Sequence, residues 1–135
     1  MKTFDVQSIK LDVPSRQAFA YLSDPFRLPE WTSAFAQVRD GRALLRTPRG
    51  EMEIGLDVEA HDAAGTVDWS MRFPDGSVAR AYSRLVPDGA GRCIYSFVLM
   101  APPVPLEELE GALEAQSRTL AEELGALRRK LQAHA

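Results

Sequence analysis

Few side chains in this sequence are placed to do chemistry, and the best placed sit in alternating strand-like runs. Tyr95 lies within Cys-Ile-Tyr-Ser-Phe-Val-Leu-Met (93–100), the one phenol in a largely apolar run. A phenol held on a buried face can donate to a carbonyl oxygen and polarise it. Arg80, Tyr82 and Arg84 alternate along the preceding run. Turned inward, Arg80 and Tyr82 would form a cationic and phenolic pair suited to a carboxylate or enolate. His61 and His134 are the only imidazoles. The first follows an acidic strand face at a turn and the second adjoins the C-terminus, so neither is positioned as a general base. Cys93 is the single cysteine and reads as a small strand hydrophobe. No Cys or His cluster has metal-ligand spacing, and there is no glycine-rich phosphate loop, nucleophile elbow or Ser-His-Asp order. No metal and no cofactor is expected.

The bulk composition narrows the class. A chain of 135 residues with 45% hydrophobic and 26% charged residues suits one soluble domain, here taken as 1–135. A net charge of −3 supplies no global attraction to nucleic acid or to an anionic membrane. The lone cysteine rules out an internal disulfide and fits a reducing compartment. With no apolar leader before Asp5 and no run of 18 apolar residues, a cytoplasmic protein without membrane insertion is expected. Arg39, Arg42, Arg46 and Arg49 concentrate on one hairpin. Glu51 and Glu53 follow directly, which makes a solvated hairpin the better reading than a nucleic-acid or headgroup site.

The elements that must position these groups follow from periodicity. Residues 4–13 read as a first strand. Pro14-Ser15 breaks it, with Ser15 as N-cap of a short helix carrying Ala18, Phe19 and Leu22. Asp24-Pro25 starts a second helical piece, which Pro29 limits to about one or two turns. Turn signals then recur at 40–41, 48–50, 62–65, 74–76 and 87–91, separating six strand-like runs in an antiparallel meander. Met52, Ile54, Leu56 and Val58 alternate with acids, and Val67, Trp69, Met71 and Phe73 repeat the pattern. Pro102, Pro103 and Pro105 precede a long helix with leucines at 106, 109, 113, 120, 124, 127 and 131. Gln116 and Ser117 interrupt that stripe, as a rim contact or as a polar contact within a pocket.

Loop lengths give a register. A three-residue loop at 74–76 sets Trp69 opposite Ala81, Met71 opposite Ala79 and Val67 opposite Ser83. A five-residue loop at 87–91 then sets Phe97 beside Ala81, Leu99 beside Ala79 and Tyr95 beside Ser83. Arg80, Tyr82 and Arg84 face outward in this register; a slip of one residue would turn them inward. The outward face carrying Ile94, Val98 and Met100 is apolar, and a homodimer would cover it.

The order of strand, two short helices, six strands and one long helix, with Val13-Pro14…Phe19…Leu22…Asp24-Pro25…Leu28-Pro29-Glu30-Trp31, resembles the SRPBCC superfamily. That group includes START lipid-transfer domains, polyketide cyclases and the major birch pollen allergen. The resemblance implies an α+β helix-grip fold, a curved antiparallel seven-stranded sheet wrapped round the C-terminal helix, with a hydrophobic cavity between them. Residues expected to line it are Trp31, Met52, Ile54, Leu56, Trp69, Met71, Phe73, Ser83, Tyr95, Phe97, Leu113 and Gln116. Trp31 would gate the mouth or plug the short helices against the sheet. The family's members implicate a hydrophobic small-molecule ligand; the alternatives are a cyclase, aromatase or dehydratase using Tyr95 or Arg80, and a protein-interaction module. No catalytic set is shared across the superfamily, so none is carried to these positions.

Overall fold

The computed structural model describes residues 3–47, 50–101 and 106–133, with side chains of the last segment described from Leu113 onward. Strand β1 spans Phe4–Leu11, and α1 spans Ser15–Leu22. Pro14 is the residue that caps α1, and Ser15 is already its first helical residue with no capping side chain. The expected Ser15 cap is therefore replaced by the fixed extended backbone of a proline. Asp24 does act as a cap: its carboxylate accepts from the Phe26 N–H at 3.1 Å and starts a 3₁₀ turn, Pro25–Arg27. Helix α2 (Leu28–Trp31) follows, with Pro29 in its first turn, where the missing N–H costs nothing.

Six strands complete the sheet: β2 (Phe35–Arg39), β3 (Arg42–Thr47), β4 (Gly50–His61), β5 (Thr66–Arg72), β6 (Val78–Pro87) and β7 (Cys93–Met100). All neighbours are antiparallel, in the order β1-β7-β6-β5-β4-β3-β2. The last element, α3, runs Leu106–Ala133. At 1.5 Å per residue it is about 42 Å long, enough to lie across the whole sheet. Its backbone comes closest to β1 and α2. Leu113, Leu120, Leu124, Leu127 and Leu131 are all buried, and the last four join the core cluster with the sheet residues, so that part of the leucine stripe meets the concave face as its spacing predicts. Leu106 and Leu109 belong to the part of the helix whose side chains lie outside the described set.

The β5–β6 register is the one loop length implies. Phe73 N–H donates to the Ser77 carbonyl at 2.9 Å, closing a three-residue loop, and Trp69 pairs with Ala81 and Met71 with Ala79. The β6–β7 register differs from expectation by two residues. Pro87 stays in the strand opposite Cys93, and the Asp88 N–H donates to the Arg92 carbonyl at 3.0 Å. The loop therefore sits one residue later than the 87–91 expected. A proline that needs no donor can end a strand, so treating Pro87 as loop displaced every partner. Leu99 faces Ala81, Phe97 faces Ser83 and Tyr95 faces Leu85. A shift of two preserves the side of the sheet, so Arg80, Tyr82 and Arg84 are exposed on the outer face. The slipped register that would have turned Arg80 inward is not adopted.

Candidate functional site

The concave face is built in rows. Trp69, Ala81 and Leu99 form one, and Ile9, Tyr95 and Leu85 form another. The two alanine positions of β6 leave room beside them, and aromatic rings occupy it. Trp69 stacks on Phe97 with centroids 5.7 Å apart, and Tyr95 meets the edge of Phe97 at 6.3 Å and 73°. Both geometries suit aromatic quadrupoles. Trp69 is 4% exposed and Tyr95 is fully buried.

Two polar atoms in this cluster have no hydrogen-bond partner: the indole Nε1 of Trp69 and the hydroxyl of Tyr95. Buried polar side-chain atoms are paired in the large majority of cases, and leaving one unpaired costs about 1–3 kcal/mol. Burial raises the Tyr95 pKa well above the ordinary phenol value; the Ser83 hydroxyl, close to the phenol but outside hydrogen-bond geometry with it, lowers it, and the charge of Asp68 raises it further. The Tyr95 hydroxyl therefore stays protonated at any ordinary pH.

Ser83 explains how Asp68 is felt on the concave side. The β5–β6 pairing runs from Thr66–Arg84 straight to Trp69–Ala81. In the gap, the Ser83 hydroxyl donates to the Val67 carbonyl at 2.5 Å and the Ser83 N–H donates to Asp68 Oδ1 at 3.3 Å. Side-chain bonds thus replace ladder bonds beside Tyr95. Ser83 was expected next to Tyr95 in the same row; it lies diagonal to it, with its proton committed to Val67.

The remaining expected lining residues divide. Ile54 and Leu56 are buried inward; Met71, Phe73 and Leu99 are half-buried toward one end of the same face; Met52, on that side of β4, is 38% exposed. Leu113 is buried but lies outside the core cluster that holds the later leucines of α3, whereas Gln116 is exposed. The polar break in the leucine stripe is a rim contact: Gln7 of β1 donates its amide to the Ser117 carbonyl at 2.8 Å. Trp31 is buried with Leu28 in the core cluster. Cys93 is also buried, and desolvation raises its thiol pKa, which keeps it a thiol. His61 is exposed, while His134 and Arg49 lie outside the described residues.

The short helices are fastened to the grip by polar contacts. Tyr21 O–H and Arg27 both donate to Glu30 at 2.9 Å. Glu123 of α3 accepts from the Ser33 N–H at 2.7 Å, and Arg46 of β3 donates to the Ser33 carbonyl at 3.0 Å. Burial raises the Glu123 pKa despite those Ser33 bonds. Two clefts flank this region. One of about 260 Å³ lies between the 3₁₀ turn and β4, near Phe26, Arg39, Leu56 and Val58. Another of about 290 Å³ lies between α1 and the β4–β5 turn, near Arg16, Phe19, Asp62 and Arg84. Neither includes Trp69, Tyr95 or Leu113, whose surroundings are closed to solvent. Leu56 is the one expected lining residue that borders a cleft.

No family model matches the sequence, and no curated protein does. Solved structures do. A START superfamily protein from Mycobacterium smegmatis superposes with a TM-score of 0.75 over 99% of this chain and 100% of its own, at 13% identity. The chain has the START-type helix-grip fold. The same fold accounts for similarity to the di-domain ARO/CYC protein BexL, with a TM-score of 0.71 and 16% identity over 98% of this chain and 47% of that one. It also accounts for similarity to the Zhui aromatase/cyclase of a Streptomyces species, at 0.66 and 9% identity over 97% and 92% of the two chains. At such identities the likeness is one of fold. Among the described residues, no helix is long and apolar enough to cross a membrane and no metal-ligating cluster is present.

Proposed function

We propose that this helix-grip protein binds a hydrophobic small molecule between the concave face of its sheet and α3. The observation that carries the reading is the pair of unpaired, buried polar atoms, Trp69 Nε1 and Tyr95 Oη, in an aromatic cluster under the helix. A few placed polar groups in an apolar surround are what orient a small ligand. The half-buried Met71, Phe73 and Leu99 extend the same apolar face beside them. That a START superfamily protein and an aromatase/cyclase share the fold is consistent with this use of it.

A second reading, catalysis on the bound molecule, draws on the same Tyr95 hydroxyl as a donor to a carbonyl. Arg80 does not join it, being exposed on the opposite face of the sheet. Native mass spectrometry of protein taken from its own host tests the first reading: an apolar adduct is the expected result, released by denaturation. Absence of any adduct, together with no thermal shift across a panel of apolar compounds, contradicts it.

A further inference from the structure

Resting on that binding reading, we infer that the ligand is an electrically neutral molecule bearing an acceptor oxygen, of the ketone, ester or ether class, and not a carboxylate. Both unpaired groups point to an acceptor. An indole N–H can only donate, and a protonated phenol donates most readily to a carbonyl or ether oxygen. A carbonyl or ether oxygen can receive either donor.

The charge argument is independent of the donors. Among the described residues, Ser83 is the single buried polar or charged side chain beyond the aromatic pair, and its proton is held by the Val67 carbonyl. No buried arginine or lysine among the described residues faces Trp69 or Tyr95; Arg80 and Arg84 of β6 are exposed on the outer face. The nearest charge to Tyr95 through the β5–β6 gap is Asp68, which is negative. A carboxylate brought here would be desolvated without a cation and would meet a like charge, whereas a neutral carbonyl would be repaid by a hydrogen bond from an orphaned donor.

Three naphthalenes of matched size separate the claims. Isothermal titration of the full chain at pH 7.5 with 2-acetylnaphthalene, 2-naphthoate and 2-ethylnaphthalene compares a neutral acceptor, an anion and a hydrocarbon. The ketone is expected to bind tightest, at least about tenfold above the naphthoate and roughly three- to tenfold above the hydrocarbon. In Tyr95→Phe, which removes one oxygen and leaves the ring, the ketone-to-hydrocarbon ratio should fall by about threefold or more. Naphthoate binding as tightly as the ketone overturns the neutral-ligand inference while leaving the binding reading intact. A ketone no better than the hydrocarbon overturns the role of the two donors. If none of the three binds, this inference falls together with the reading beneath it. The anion comparison needs no variant and stands even where a substitution disturbs folding.

Discussion

Tyr95 has a hydroxyl that is buried and unpaired, so its removal should cost the fold nothing. Urea unfolding of Tyr95→Phe is expected to give a stability equal to that of the native chain, or up to about 1 kcal/mol higher, because an unsatisfied buried group is deleted. Tyr95→Ala, by contrast, should lose about 3–5 kcal/mol through the space left beside Phe97 and Ile9. A loss above about 1.5 kcal/mol in Tyr95→Phe would mean that the hydroxyl is engaged after all. The inward side of Tyr95 was legible in the sequence, because Cys93, Tyr95, Phe97 and Leu99 alternate with Ile94, Ser96 and Val98. That its oxygen lacks a partner was not legible. Pairing depends on which residue faces it across β6, and Leu85 faces it where Ser83 was expected.

Elements show where loop counting works and where it fails. Pro74-Asp75-Gly76 announces its own length, and Asp75 holds it by accepting from the Ser77 N–H at 2.9 Å. The Pro87 turn does not, since a strand-ending proline and a loop proline look alike in sequence. Ser83 is the stitch between β5 and β6 where the ladder lapses. Ser83→Ala should cost about 1–2 kcal/mol by leaving the buried Val67 carbonyl unpaired, with faster amide exchange confined to residues 66–68 and 82–84. Unchanged stability and exchange would show that the ladder closes without it. Glu123 joins α3 to the segment after α2, and its pKa is raised. A carboxyl whose folded pKa exceeds its unfolded value holds its proton better in the native state. Its stabilising contribution is present below the ordinary pKa of about 4.3 and is lost as pH rises through the folded value. Glu123→Gln keeps an oxygen for the Ser33 N–H and carries no charge. Its stability relative to the native chain should therefore climb between pH 4 and pH 7; a flat or falling difference would contradict the assignment.

At the scale of the whole molecule, the two sides of the sheet carry different chemistry. The outer face holds charges and ion pairs, such as Arg72 with Asp57 at 3.0 Å and Arg42 with Glu53 at 2.7 Å. It also exposes Phe4, Val6, Tyr82 and Met100 along the β1–β7–β6 side. The concave face has aromatic rings, leucines from α3 and two donors without acceptors. The overall grip could be read from the order of strands, short helices and long helix, whereas the closure of the interior around Trp69 and Leu113 could not. Ring packing of that kind depends on the β6–β7 register and on the seating of α3, which no local pattern reports. The central claim is that a ligand's acceptor oxygen engages the orphaned donors of this cluster, Trp69 Nε1 among them, and the chain contains only two tryptophans, Trp31 and Trp69. Their indole N–H signals in a ¹H–¹⁵N spectrum, assigned with Trp69→Phe, can be followed while 2-acetylnaphthalene is added. The account predicts that the Trp69 signal moves downfield to saturation while that of Trp31 shifts far less. A Trp69 signal that stays fixed while the ketone binds elsewhere would contradict it.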